Sequence, residues 1–159
     1  MQKSAVRDAI VAQLQRELDL QARAAHESRE EATSTENKQE GKFDMRGQEA
    51  AYLAEGQARL AAEIAESIVL YRTLELPDFS SGRPAALGAV ITLETKGRQT
   101  TYFLGPRNGG MEINEAGESC LVVTPSSPLG RQLLGRVTGD SVQLPGRTGA
   151  VSHKVVALA

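Results

Sequence analysis

The chain has 159 residues, 40% hydrophobic and 24% charged, with 18 Lys/Arg against 20 Asp/Glu and a formal charge of −2. A weakly acidic chain with no clustered cationic face is not expected to bind DNA independently or sequence-specifically. The opening MQKSAVRDAI lacks the apolar stretch of a signal peptide, and no run approaches the ~20 apolar residues of a membrane span. The single Cys120 excludes an internal disulfide, so a cytoplasmic protein away from membranes is expected.

Composition changes once along the chain. Residues 1–77 contain only Gly41, Gly47 and Gly56, whereas residues 78–159 hold the other twelve glycines and five of the six prolines. Charge divides at the same place, 10 Lys/Arg against 14 Asp/Glu before it and 8 against 6 after it. Leu76-Pro77-Asp78 therefore marks a boundary between a helical domain, 1–77, and a β-rich domain, 78–159, because proline stops a helix.

In the first domain, Val11, Leu14, Leu18, Gln21 or Ala22, and Ala25 recur at helical spacing, predicting a helix from Ser4 to about Ser28. Leu53, Gln57, Leu60, Ile64, Ile68 and Tyr71 do the same for a helix from Met45 to about Leu74. Each apolar seam is narrow, nearer to a coiled coil than to a core helix. Two long helices joined by a short segment form an antiparallel hairpin with a tip near 30–49. At ~1.5 Å per residue the rod is roughly 42–45 Å long, and its use is reach. A dimerising coiled-coil adaptor, associating through Leu14, Leu18, Leu60 and Ile64, would show the same pattern.

The tip is acidic: Glu27, Glu30, Glu31, Glu36 and Glu40 outnumber Arg29 and Lys38. Such a run commonly means a solvated face. Asp44 is placed to cap the second helix and Glu49 to suit its dipole, so neither acid needs a further role. Phe43 and Tyr52 flank the turn and are expected to pack the tip together.

The second domain alternates as strands over 87–95 and 98–105, around Lys96-Gly97, and again over 119–124, 141–145 and 151–158. Ser127-Pro128 opens a short helix within 126–136 whose apolar side is Leu129, Leu133 and Leu134. Four or five strands and one short helix give an α+β domain of about 80 residues. Cys120 reads as a buried small residue. His26 and His153 form no metal-ligand spacing, and Gly105-Pro106-Arg107-Asn108-Gly109-Gly110 is a turn, not a phosphate loop.

The segment VVTPSSPLGRQLLGRVTGDSVQLP, residues 122–145, resembles the signature of the Gre transcript-cleavage factors, the bacterial family of GreA and GreB. A strand leads into Ser-Pro, a short Leu-rich helix and Gly, and Gly-Asp opens the next strand. The preceding helical hairpin and proline linker also fit. The resemblance implies an FKBP-like second domain that docks on RNA polymerase, where Ser126, Ser127 and Pro128 match the contacting loop. The same three residues would serve equally to cap the helix.

It further implies that the hairpin enters the secondary channel of the polymerase and brings tip carboxylates to its active site and the RNA 3′ end. There a Mg²⁺ held jointly with the polymerase assists cleavage of backtracked RNA, so the chain stimulates an activity and is not itself an enzyme. By analogy Asp44 holds the metal and Glu49 orients water. The family tip reads approximately Asp-Leu-Lys-Glu-Asn-Ala-Glu-Tyr; aligning Asp44 and Tyr52 with it requires one extra residue. Five residues on one helix would set the two acids roughly 140° apart. A channel-occupying regulator without cleavage therefore stays open. The family reading expects a monomer with a closed hairpin. Fold analogy alone suggests a prolyl isomerase, but Phe79, Tyr102 and Phe103 are too few aromatics for a proline pocket.

Overall fold

The computed structural model describes residues 1–33, 45–80, 82–115, 117–146 and 149–159, with backbone alone at 28, 31–33, 45–47 and 50. Two helices, α1 (Lys3–Thr33) and α2 (Met45–Arg72), precede a mixed six-stranded sheet with one short helix. The architecture is α+β, a helical hairpin followed by a β-rich domain, as the sequence predicts. By compactness the chain forms two units: Met1–Val11 with Leu70–Ala159, and Ala12–Val69.

In the helical unit Leu14 and Ala25 are buried on α1, and Ala54, Ile64 and Ile68 on α2. Gln57 and Ala61 are half-buried, so the α2 seam runs 54, 57, 61, 64, 68, 71. That strict alternation of three and four is a coiled-coil heptad. Leu53 and Leu60, expected in the seam, are instead 56% and 46% exposed. Burial of Ile64, Ile68 and Tyr71 sets the phase, and counting back from them reaches Ala61 and Ala54, whose small side chains let helices approach closely. Val6 and Ile10, earlier on α1 than the expected seam, are also fully buried, and they belong to the sheet unit. Ala22 is exposed and the helix runs on past Ser28 to Thr33. Of the four residues an adaptor would use for self-association, Leu14 and Ile64 are buried inside the chain, Leu18 is half-buried and Leu60 is exposed.

The other unit is built on β1 (Val90–Thr95), β2 (Arg98–Leu104), β3 (Glu112–Glu115), β4 (Glu118–Val123), α3 (Pro128–Leu133), β5 (Ser141–Gly146) and β6 (Gly149–Leu158), in the sheet order β3-β4-β2-β1-β6-β5. β1 and β2 pair antiparallel with Thr95 opposite Arg98. The two-residue turn between them needs positive φ twice, which Lys96 (49°) and Gly97 (74°) supply. β2 and β4 run parallel, and β3 completes that edge.

Strand alternation sorts the side chains. Ile91, Leu93, Tyr102, Leu104, Val142 and Val155 enter one core with Phe79 of the linker and Leu133 of α3. Phe103 points the other way, with the Tyr71 ring 6.5 Å off. Tyr71 donates to the Arg107 carbonyl at 2.6 Å, and Lys3 Nζ donates to the Pro77 carbonyl at 2.6 Å. The Phe79 ring lies between Lys3 and Arg83 at 5.4 and 5.7 Å. These contacts fix the last turn of α2 and the first turn of α1 to the sheet unit. Among the described residues no helix is long and apolar enough to cross a membrane.

Cys120 is buried on β4, and burial pushes its thiol up to about 12. Because the folded state holds the proton more tightly than the unfolded chain, this group contributes stability below the unfolded thiol's pKa and loses it as pH rises toward 12. The Tm should therefore fall more steeply with pH above about 9 in the wild type than in Cys120→Ala. Equal slopes would show that the thiol takes no part in alkaline unfolding.

Candidate functional site

Two places in the fold hold the residues that the sequence singles out. The first is the loop from Thr124 to α3. Proline at the first helical position and Ser127 before it open α3 as expected. Ser127 Oγ accepts the Gly130 N–H at 3.0 Å and donates to the Thr124 carbonyl at 2.8 Å. Ser126 Oγ lies 3.1 Å from Thr124 Oγ1, and the Arg131 guanidinium donates to the Ser126 carbonyl. The Ser127 hydroxyl is thus committed within the loop, whereas Ser126 and Pro128 face solvent. Ser127→Ala should cost about 1 kcal/mol of stability, read by urea denaturation. No change in the midpoint would mean that the cap is dispensable.

Gly130 is held here by a close approach. A Cβ on it would run into the carbonyl of Thr124. The motif's glycine and Ser127 therefore form one tight corner.

Beside the corner lies an apolar groove of about 1020 Å³, lined among others by Val122, Ser127, Pro128, Leu129, Leu144 and Pro145. Four separate stretches make it: the Gly109-Gly110 turn, β4 with the residue after it, the start of α3, and the β5–β6 hairpin. None of its lining residues is aromatic, which agrees with the argument against a proline pocket. The edge of β5 is closed to strand addition. Gln143 N–H donates to Gln132 Oε1 at 3.0 Å, and Pro145, pointing the same way, has no N–H. The groove thus offers side-chain packing, not β-pairing. The contact between Gln132 and Gln143 was not legible in the sequence.

The second place is the far end of the hairpin. Residues 30–33 continue α1 and 45–49 begin α2. His26 Nδ1 lies 3.6 Å from Glu30 Oε1 on an exposed face. Glu49 sits in the second turn of α2 and is exposed. Along the single helix it is roughly 34 Å from Arg72, at ~1.5 Å per residue. Asp44, the expected metal ligand, lies outside the described residues, as does Phe43. Tyr52, expected to pack the tip, is 75% exposed.

Among the described residues no three His, Cys, Asp or Glu side chains gather to hold a metal. Glu49 presents its carboxylate to solvent on α2.

No family model matches the chain. The transcription elongation factor GreA of Desulfovibrio desulfuricans is 33% identical over 137 residues, covering 84% of this chain and 75% of the relative. Among solved structures, GreA factor homolog 1 of Thermus thermophilus aligns over 95% of both chains at 21% identity, with a TM-score of 0.39. A GreA/GreB elongation factor from Nitrosomonas europaea aligns over 70% of this chain and 91% of its own at 16% identity, with a TM-score of 0.38. The structural scores are low, and it is the sequence match, running across most of both proteins, that assigns the chain to the Gre family of transcription elongation factors.

Proposed function

We propose that the chain is an RNA polymerase-binding elongation factor that docks through its sheet domain and inserts its hairpin into the secondary channel. The observation that carries this is the match to a GreA elongation factor across most of the chain. Two features support it. The Ser126–Pro128 corner borders an apolar groove able to receive a protein ridge, and an exposed carboxylate stands near the far end of a long helix.

On this reading the catalytic centre belongs to the polymerase, and the chain stimulates cleavage of backtracked RNA without being an enzyme. Mg²⁺, when held jointly by the two proteins, would polarise the scissile phosphate and lower the pKa of a bound water. Asp44 is the residue to share it, and Glu49 the one to orient the water. The factor works as a monomer in the cytoplasm, makes no sequence-specific DNA contact of its own, and meets only the RNA 3′ end inside the complex. A second reading, occupancy of the channel without cleavage, is favoured by the extra residue between Asp44 and Tyr52 relative to the family tip.

Docking is tested by Pro128→Glu. The site is exposed and at the first position of α3, where an acid suits the helix dipole, so the fold should survive. A charge at the lip of the groove should weaken polymerase binding by at least about tenfold, ~1.4 kcal/mol. Unchanged affinity with an intact fold would place the docking surface elsewhere.

A further inference from the structure

Gln132 of α3 lines the groove, and one end of its side chain is already committed. Its Oε1 accepts the Gln143 N–H at 3.0 Å. A backbone N–H must face an oxygen, so this bond settles which end of the amide is which. The Nε2 end, with two N–H groups, has no partner among the described residues and is reached by solvent. What the amide offers an occupant of the groove is therefore a donor.

Its surroundings narrow the choice of occupant. The hydroxyls of the lining are engaged: Ser127 Oγ with the Gly130 N–H and the Thr124 carbonyl, and Thr124 Oγ1 with Ser126 Oγ. The Gln143 side chain is exposed and held by no bond among the described residues, so ordering it would cost entropy. None of the described lining residues is charged. An ionised group entering here would lose its water without meeting an opposite charge. Pairing of strands is excluded as well, because the β5 edge is closed. An apolar ridge carrying one uncharged acceptor fits these conditions.

We infer that Gln132 is a specificity residue of the groove: its Nε2 donates to an uncharged amide carbonyl on an apolar ridge of the polymerase. The inference rests on polymerase docking at this groove, and it deepens that reading by naming the chemistry of the partner. An apolar groove alone accepts any ridge of the right width. An oriented donor rejects a ridge that has no acceptor, because its N–H groups would then be buried unbonded.

Polymerase affinity is measured for wild type, Gln132→Met, Gln143→Pro and Pro128→Glu, with a urea midpoint for each. Methionine keeps the length of the side chain and the apolar character of the groove, but removes both the donor and the acceptor. Gln143→Pro removes only the bond between positions 132 and 143. That N–H points away from the ladder, as at position 145 where proline already stands, so the strand should tolerate it. Gln132→Met should bind at least about tenfold more weakly, and Gln143→Pro should stay within about threefold of wild type.

Wild-type or better affinity in Gln132→Met overturns the inference, because packing alone would then suffice. Equal losses in the two variants also overturn it, making Gln132 a brace for the β5–β6 hairpin. If Gln143→Pro does not fold, Gln132→Glu replaces it, since its carboxylate still accepts the Gln143 N–H. Wild-type affinity in Gln132→Glu then overturns the inference, and a loss at least as large as that of Gln132→Met upholds it. A loss in Pro128→Glu beside an unchanged Gln132→Met removes the inference alone. An unchanged Pro128→Glu removes docking at this groove and the inference with it.

Discussion

Glu49→Ala is expected to reduce stimulated RNA cleavage by roughly 10²–10⁴-fold, the usual worth of a positioned acid or base, while polymerase affinity changes less than about twofold. The structure makes this result interpretable. Glu49 is exposed on α2, and alanine is the better helix former, so the substitution leaves the hairpin intact. Asp44→Ala should give a loss of similar size if both acids act on the same reaction. Initial rates at saturating factor, with a parallel binding curve, measure both quantities. Full activity in Glu49→Ala would return the residue to its bland role near a helix N-terminus. There its removal costs only ~0.3–1 kcal/mol of stability.

Gly130→Ala should be the most damaging single methyl in the sheet unit. At a free helical position, glycine to alanine stabilises by about 0.8–1 kcal/mol. Here the added Cβ meets the Thr124 carbonyl, and the Ser127 hydroxyl lies 3.0 Å from it. Backbone cannot move aside as a flexible side chain would, so the corner must open and the Ser127 cap must break. Overpacking and the lost cap together should cost about 2–4 kcal/mol. Polymerase affinity should fall as well, because the same corner shapes one wall of the groove. Urea denaturation decides the matter by its sign: a rise in stability would contradict the close approach.

The parts of the fold written in local pattern were legible. Alternation gave β1, β2, β4, β5 and β6, and Ser127-Pro128 gave α3 with its cap. The strand β3 was missed because only Ile113 of its four residues turns inward; its neighbours are Glu112, Asn114 and Glu115, which read as loop. The phase of α2 was misjudged because leucine outweighs alanine in any apolar count, yet Ala54 and Ala61 fall on the heptad. Val6 and Ile10 were passed over because their burial belongs to the sheet unit, which the helix pattern does not show.

The candidate site divides along the same line. The Ser127 cap could be read from helix chemistry, whereas Glu49 was singled out by the family resemblance, spacing alone giving it only a place near a helix N-terminus. The groove could not, because it needs Val122, Leu129 and Leu144 brought together from separate stretches of chain. Tyr52 was misread because aromatic residues near a turn usually find a packing partner, and here the ring stays exposed.

The measurement that bears most directly on the whole account is RNA cleavage by wild-type factor in stalled, backtracked elongation complexes, with binding followed in the same samples. Shortened transcripts that the polymerase can extend again, dependent on factor and Mg²⁺, are the predicted result. Binding without shortening would leave a channel-occupying regulator, and no binding at all would contradict the polymerase reading itself.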